Sequence, residues 1–206
     1  PPDSGRTLFD EARAALAGDL VVGNFEGVLG DSGTTYKCGR AGVTVGGTAK
    51  PPAEPPARPS RRAAAPRTCY AFLTPTHLAP RLRDAGFTHL NLANNHANDF
   101  GAVARARTEA IFDTLGLTHY GPLDRIALDT VRRGDSLTTV ALVGFATYPY
   151  AYDLLNIERS AAVVDSLRGL ADLVVVTFHG GAEGARALHV PMAAESLASE
   201  PRGDLR

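Results

Sequence analysis

The chain has 206 residues, a formal net charge of -1 and 44% hydrophobic residues. This length suits one domain with a substantial core and is too short for two of ordinary size. The near-neutral charge argues against a protein that coats nucleic acid, because neutralising phosphates requires a surplus of Lys and Arg. No apolar run approaches the roughly 20 residues that cross a bilayer. The chain begins at Pro1 rather than Met and stops at Arg206 without a closing element, so we expect a piece of a longer protein.

Short apolar runs and helical stripes alternate along the chain. The apolar runs lie at residues 19–23, 87–93, 139–145 and 172–178. Continuous runs of this length suit strands buried on both faces, as in a parallel sheet covered by helices. The helical stripes are Phe9/Ala12/Leu16, Leu78/Leu82/Ala85, Val103/Ala110/Ile111/Leu115 and Val163/Leu167/Leu170. Gly86 and Gly116 are placed to end the second and third helices, and Pro80 fits only a first turn. The alternation predicts an α/β layer architecture.

Residues 39–68 break this pattern. The stretch 50–67 contains six of the 14 prolines and is rich in Ala and Arg. A basic interaction tract is one interpretation. We favour an exposed loop, because the stretch lacks interleaved aromatic residues and its prolines prevent a helix.

Polar side chains beside glycine follow three of the four predicted strands. They form the segments Asn24–Gly27, Asn94–Asp99 and His179–Gly181. The carboxyl ends of parallel strands meet at one crevice, so we expect these side chains to converge. Carboxylate and amide oxygens with imidazole nitrogens are ligands for Mn, Fe, Zn or Mg, although Asn and Gly are also ordinary turn residues. Tyr148 and Tyr150, after the third strand, either line the crevice or cover the sheet edge, and we favour the second.

Three segments carry a more specific pattern. Residues 20–27 are a strand leading into N-x-E-G, residues 85–101 contain A-N-N-H-x-x-D-x-G, and residues 174–183 are a strand ending in His-Gly-Gly with a following Glu. These segments resemble the bacterial capsule-synthesis proteins called CapA, also known as PgsA-type poly-γ-glutamate biosynthesis proteins. That family is similar to the calcineurin-like metallophosphoesterases. The resemblance therefore implies an α/β fold, a metallophosphoesterase-like β-sandwich flanked by helices in α-β-β-α layers.

The resemblance also implies the extent of the domain. Residues 1–206 are expected to be a single, partial domain of this family, with 39–68 as an insert loop. The Asp motif that opens the superfamily and the Gly-His-x-x-His element that closes it have no counterpart in the chain. We therefore expect a truncated domain that by itself binds metal weakly and is inactive.

The roles of individual residues follow from the same resemblance. It implies a site for divalent metal ions (Mn, Fe, Zn or Mg), dinuclear in the full-length protein, with Glu26, Asn95 and His179 as ligands. His96 would protonate a leaving group or stabilise phosphoryl oxygens, and Asp99 would orient His96. The residues implied in substrate binding are Asn24, Asn94, Gly180 and Glu183.

Cys38 and Cys69 bracket the predicted insert. The resemblance implies an extracytoplasmic location at the cell envelope, with or without a membrane anchor, and disulfides persist there. A bond between the two would close a loop of about 30 residues and contribute roughly 3–4 kcal/mol. Two unpaired thiols are the alternative.

Two functions are compatible with these features. One is a metal-dependent phosphoesterase-like hydrolase in capsule or poly-γ-glutamate biosynthesis. The other is a non-catalytic component that binds or exports the polymer through a degenerate metal site. The expected partners are an anionic cell-envelope polymer or phosphoester substrate and other capsule-synthesis membrane proteins, and no nucleic acid.

Overall fold

A computed structural model of the protein describes residues 2–38, 42–46 and 70–181. The strands are β1 Val22–Asn24, β2 Val28–Leu29, β3 Ser32–Thr35, β4 Val43–Gly46, β5 Leu73–Thr74, β6 His89–Asn91, β7 Thr118–Tyr120, β8 Ala127–Arg133, β9 Ser136–Ala146, β10 Tyr152–Asp153 and β11 Leu173–His179. The helices are α1 Pro80–Ala85, α2 Gly101–Leu115 and α3 Ile157–Arg168, and short 3-10 segments lie at Pro2–Gly5 and Thr76–Leu78. The mixed α/β fold predicted from the sequence is confirmed.

The first sheet is parallel and has the strand order β1-β6-β7. Val22 pairs with His89 and His89 pairs with Thr118, so the carboxyl ends of all three strands lie at one edge. On one face, Leu90 shares a buried cluster with Phe112 of α2. Complete burial of Phe112 stabilises this layer, since truncating a buried Phe to Ala costs about 3–5 kcal/mol.

The second sheet is built around the long strand β9. β11 runs parallel to β9 from Leu173 opposite Val140 to His179 opposite Ala146, and β8 pairs with β9 in the antiparallel sense. Val143 on one face of β9 is buried with Leu167 of α3. This sheet is therefore covered by α3, as the first is covered by α2.

The two sheets pack against each other through their remaining faces. Tyr120 of β7 and Leu142 of β9 lie in one buried cluster. The contact is closest at Gly144, where a Cβ atom would lie 2.5 Å from Oδ1 of Asn91. A side chain at this position would push the sheets apart, which explains the glycine. The layers run α2, first sheet, second sheet, α3.

Two small sheets connect these layers to the site. β2 pairs with β5, and the backbone N–H of Leu29 donates to Oγ1 of Thr108 on α2, 2.9 Å away. β3 and β4 form an antiparallel pair in which Thr35 lies opposite Val43. Within the predicted insert 39–68, residues 43–46 form the exposed strand β4, and residues 39–41 and 47–68 lie outside the described residues.

The predicted helices agree with the structure to different extents. α1 begins at Pro80, and Gly86 ends it with φ 111°. The predicted helix at 9–16 is instead a series of turns, because amide hydrogen bonds there alternate between acceptors three and four residues back. Two members of the third predicted stripe do not face the core: Val103 is 86% exposed, and Ala110 is also exposed.

Thr108 is buried on α2 in place of Val103, because its hydroxyl both bonds the Ala104 carbonyl and receives the Leu29 amide. Leu170 lies beyond α3 and is also exposed. Within the described ranges, no helix has the length and apolar character needed to traverse a bilayer.

Candidate functional site

The site is built on the turn that follows β6. Asn94 is fully buried, and its Oδ1 accepts from the backbone N–H of His96 at 3.0 Å. The amide of Asp99 then donates to the carbonyl of His96 at 3.2 Å. Asn94 therefore shapes the turn through an Asx-type hydrogen bond and sets the direction of His96.

Asn94 also joins this turn to the end of β1. Its Nδ2 donates to Oδ1 of Asn24 at 3.0 Å and to the carbonyl of Phe25 at 2.9 Å. Nδ2 of Asn24 in turn donates to Oε2 of Glu26 at 3.2 Å. The structure thus brings together the first two strand ends that the sequence singled out, through amide side chains.

His96 and Asp99 form a buried pair. Nδ1 of His96 lies 2.7 Å from Oδ2 of Asp99, and the two side chains are 8% and 0% exposed. The same Oδ2 accepts the backbone N–H of Phe72 at 2.8 Å. A carboxylate in this position can only accept, so Nδ1 of His96 is the donor of the pair, and in a neutral imidazole the lone pair then lies on Nε2.

Lys37 completes the pair and was not predicted. Its Nζ lies 2.6 Å from Oδ1 of Asp99, 3.2 Å from the carbonyl of Asn95 and 3.2 Å from Nδ1 of His96. Its charge compensates that of the buried carboxylate, which would otherwise be costly to desolvate. Lys37 is one of two lysines in a chain whose other basic residues are all Arg. That contrast is the sequence signal that could have drawn attention to it.

The opposite edge of the imidazole faces Glu26. Nε2 of His96 lies 3.7 Å from Oε1 of Glu26, whose side chain is 38% exposed. This distance is too long for a hydrogen bond. The Phe72 ring stacks on the imidazole at 4.0 Å with an interplanar angle of 21° and fixes its plane. Nε2 is thus held in a defined direction beside an accessible carboxylate.

A cleft of about 470 Å³ lies on the Nδ1 side of His96. Its walls include Tyr36 and Lys37 after β3, Asn98 in the turn, and Tyr148 and Tyr150 after β9. Tyr148 and Tyr150, which the sequence predicted to cover the sheet edge, line this cleft. The reason is tertiary: the Tyr150 hydroxyl donates to the carbonyl of Asn94 and draws the loop onto the turn.

Tyr150 is held from both sides. The guanidinium of Arg105 lies 5.1 Å from its ring centroid, and the Tyr148 ring stacks on it at 5.9 Å and 16°. Burial, followed by the neighbouring Tyr148, raises the pKa of Tyr150 far above its usual range. The phenol therefore stays neutral at physiological pH.

The third predicted strand end lies on the second sheet. His179 ends β11 opposite Ala146 and is half-buried, and Gly180 follows it. Among the described residues, no hydrogen bond or ion pair joins His179 to Glu26, His96 or Asp99. Glu183 and Cys69 lie outside the described residues, so the substrate role of Glu183 and the bond between Cys38 and Cys69 stay predictions.

The metal-ligand roles implied for Glu26, Asn95 and His179 stay predictions. Within 2–38, 42–46 and 70–181, no three His, Cys, Asp or Glu side chains are grouped to hold a metal ion. Both oxygens of Asp99 are engaged by Lys37, Phe72 and His96, and the ammonium of Lys37 occupies the Nδ1 side. We therefore derive no chemical step through a metal.

Comparisons with known proteins agree with the motifs. A family model described as "Bacterial capsule synthesis protein PGA_cap" matches residues 53–198. The capsule biosynthesis protein CapA of Bacillus anthracis is 30% identical over 118 residues, which cover 50% of this chain and 29% of that protein. The chain thus spans less than a third of that relative.

One solved structure gives a weaker likeness. It is described as a 5′-nucleotidase from Staphylococcus aureus in complex with alpha-ketoglutarate, with 19% identity and a TM-score of 0.37 over 52% of this chain and 24% of that one. A likeness at this level carries no argument. The family model, in contrast, covers well over half of the 206 residues, and the chain therefore belongs to the bacterial capsule synthesis protein PGA_cap family.

Proposed function

We propose that this chain contributes the acid–base centre of a hydrolase or transferase that acts on a phosphoester or an anionic polymer during capsule biosynthesis. The observation that carries the proposal is the buried Asp99–His96 pair, whose Nε2 faces the solvent-accessible carboxylate of Glu26. Membership of a capsule-synthesis family supports the cellular role and a site at the cell envelope.

The proposed chemistry follows from the direction of the imidazole. Asp99 accepts Nδ1–H, so Nε2 takes a proton from an attacking group or, once protonated, gives one to a leaving group. The stacked Phe72 ring and the Asx-type turn prevent the imidazole from rotating away. Such a positioned group contributes about 10²–10⁴-fold to rate.

The amide pair at the strand ends supports substrate positioning. Nδ2 of Asn94 is committed to Asn24 and Phe25, which leaves Asn24 and Glu26 exposed. In the proposal these two contact the substrate, and Asn94 holds them in place. Divalent metal ions and the ligand roles of Glu26, Asn95 and His179 remain expectations of the family resemblance, and metal analysis of the full-length protein tests them.

The experiment compares full-length wild-type protein with His96→Ala on bis(p-nitrophenyl) phosphate. We expect turnover to fall by about 10²–10⁴-fold while the far-ultraviolet circular dichroism spectrum is unchanged. His77→Ala is the matched control, since His77 lies in the Thr76–Leu78 segment away from the pair. Equal turnover of wild type and His96→Ala would refute the role of His96.

A second candidate is a polymer-binding or export component without turnover, working with other capsule-synthesis membrane proteins. Two observations favour it. The described residues contain no group of His, Cys, Asp or Glu side chains that could hold a metal ion, and the Lys37 ammonium lies beside Nδ1 of His96. Sedimentation with poly-γ-glutamate separates the two. Binding with no phosphodiester turnover in the full-length protein would favour this candidate.

A further inference from the structure

The cleft on the Nδ1 side of His96 is distinct from the Nε2 edge, because neither Glu26 nor Asn24 lines it. We propose that this cleft binds an uncharged sugar ring, laid flat against Tyr148 and Tyr36, with Tyr150 supporting Tyr148 from behind. Binding itself does not depend on turnover at His96.

The aromatic wall of the cleft is formed in advance of any ligand. Tyr150 is fixed by its hydrogen bond to the carbonyl of Asn94 and by the guanidinium of Arg105 over its ring. Tyr148 stacks on it with nearly parallel planes. Arg105 is itself held by Asn98 at 3.3 Å. A wall that is already ordered loses little entropy on binding, which favours recognition of a rigid ring.

The charge of the cleft selects against a polyanion. Among the described residues that line it, Lys37 and Asp99 carry the charges, and they pair with each other at 2.6 Å. Arg105 lies behind Tyr150 and pairs with Glu109 at 3.4 Å. A polyglutamate chain would have to break the Lys37–Asp99 pair to gain a partner, and this would leave a buried carboxylate uncompensated.

The polar groups suit a ring that carries hydroxyls. Asn98 uses its Oδ1 for Arg105, and its amide N–H groups bond to nothing among the described residues. Tyr36, 69% exposed, supplies a third ring at the rim. A sugar offers C–H faces to the tyrosines and hydroxyls at its edge to the amide, in a volume of ordinary ligand size.

Saturation-transfer NMR on the full chain tests the proposal. The chain contains no Trp, so irradiating the aromatic protons saturates mainly tyrosine and phenylalanine rings. The probes are cellobiose, maltose and N,N′-diacetylchitobiose, none of which has aromatic protons. We expect saturable transfer to the ring C–H protons of at least one disaccharide at millimolar concentration.

Variants assign the signal to the cleft. Tyr36→Ala and Tyr148→Ala should each weaken binding by about 2- to 10-fold. Tyr70→Ala is the matched control, because Tyr70 is similarly exposed and does not line the cleft. Tyr36 and Tyr70 are both surface residues, so neither change should prevent folding.

Three results would overturn the proposal: no transfer to any of the disaccharides, transfer that both cleft variants leave unchanged, or cleft-dependent binding of adenosine or poly-γ-glutamate instead of the sugars. Sugar binding is measured on the wild-type protein and does not require turnover. If the wild-type protein shows no phosphodiester turnover but still binds the disaccharide, the proposed chemistry is refuted and the sugar-binding proposal stands.

Discussion

Asp99→Asn is the substitution that most directly tests which contacts hold the site together. The carboxylate is fully buried and accepts from Lys37, from the Phe72 amide and from Nδ1 of His96. An asparagine of the same shape removes the charge. It also turns one acceptor into an N–H₂ group that faces donors.

The expected cost follows from these partners. A hydrogen bond to a charged group contributes about 1.5–3 kcal/mol, and breaking a buried ion pair costs about 3–5 kcal/mol. Lys37 is 35% exposed and regains water when its partner is lost, so the pair with Lys37 is discounted. We therefore expect the free energy of unfolding to fall by about 3 kcal/mol.

Urea denaturation monitored by circular dichroism measures this change at pH 7. Asp165→Asn is the matched control, since Asp165 is 70% exposed and its contact with Arg168 is 3.5 Å long. It should shift the free energy by less than about 0.5 kcal/mol. A loss below about 1 kcal/mol for Asp99→Asn would mean that the carboxylate does not hold Lys37, Phe72 and His96 together.

Three further predictions concern the fold. Burial lowers the pKa of His89 against the opposing effect of Asp129, so its contribution to stability is complete above pH ~6.5 and is lost as the pH falls below that value. Urea titrations from pH 8 to pH 5 should show this loss in wild type and less of it in His89→Gln, and equal slopes would contradict the assignment. Gly144→Ala should cost about 1–3 kcal/mol, because its Cβ would meet Asn91 at 2.5 Å, whereas Gly169→Ala has its nearest neighbour at 3.8 Å and should be near neutral. Non-reducing peptide mapping of protein from an oxidising compartment should link Cys38 to Cys69, and alkylation of both in unreduced protein would refute the bond.

The sequence predicted those parts of the site whose determinants are local. Asn94, His96 and Asp99 determine the turn after β6, because each hydrogen bond that shapes it joins positions two or three residues apart. The apolar runs predicted the parallel strands that carry this turn and Glu26 to the same sheet edge. The turn and the strands could be predicted without knowing which residues pack against them.

The missed features depend on contacts between distant segments. Lys37 reaches Asp99 across 62 positions, and Tyr150 reaches Asn94 across 56. No periodicity links such positions. Val103 was misassigned for a related reason. The spacing of apolar residues cannot reveal that Thr108 is buried because its hydroxyl accepts a hydrogen bond from the backbone of β2.

The central claim is that Asp99 holds the proton of His96 on Nδ1 and leaves Nε2 free to act beside Glu26. Long-range ¹H–¹⁵N NMR of the imidazole, at a pH where the ring is neutral, measures this directly. The account predicts a protonated Nδ1 and an unprotonated Nε2 for His96, and loss of that single pattern in Asp99→Asn. A proton on Nε2 in the wild-type protein would contradict it.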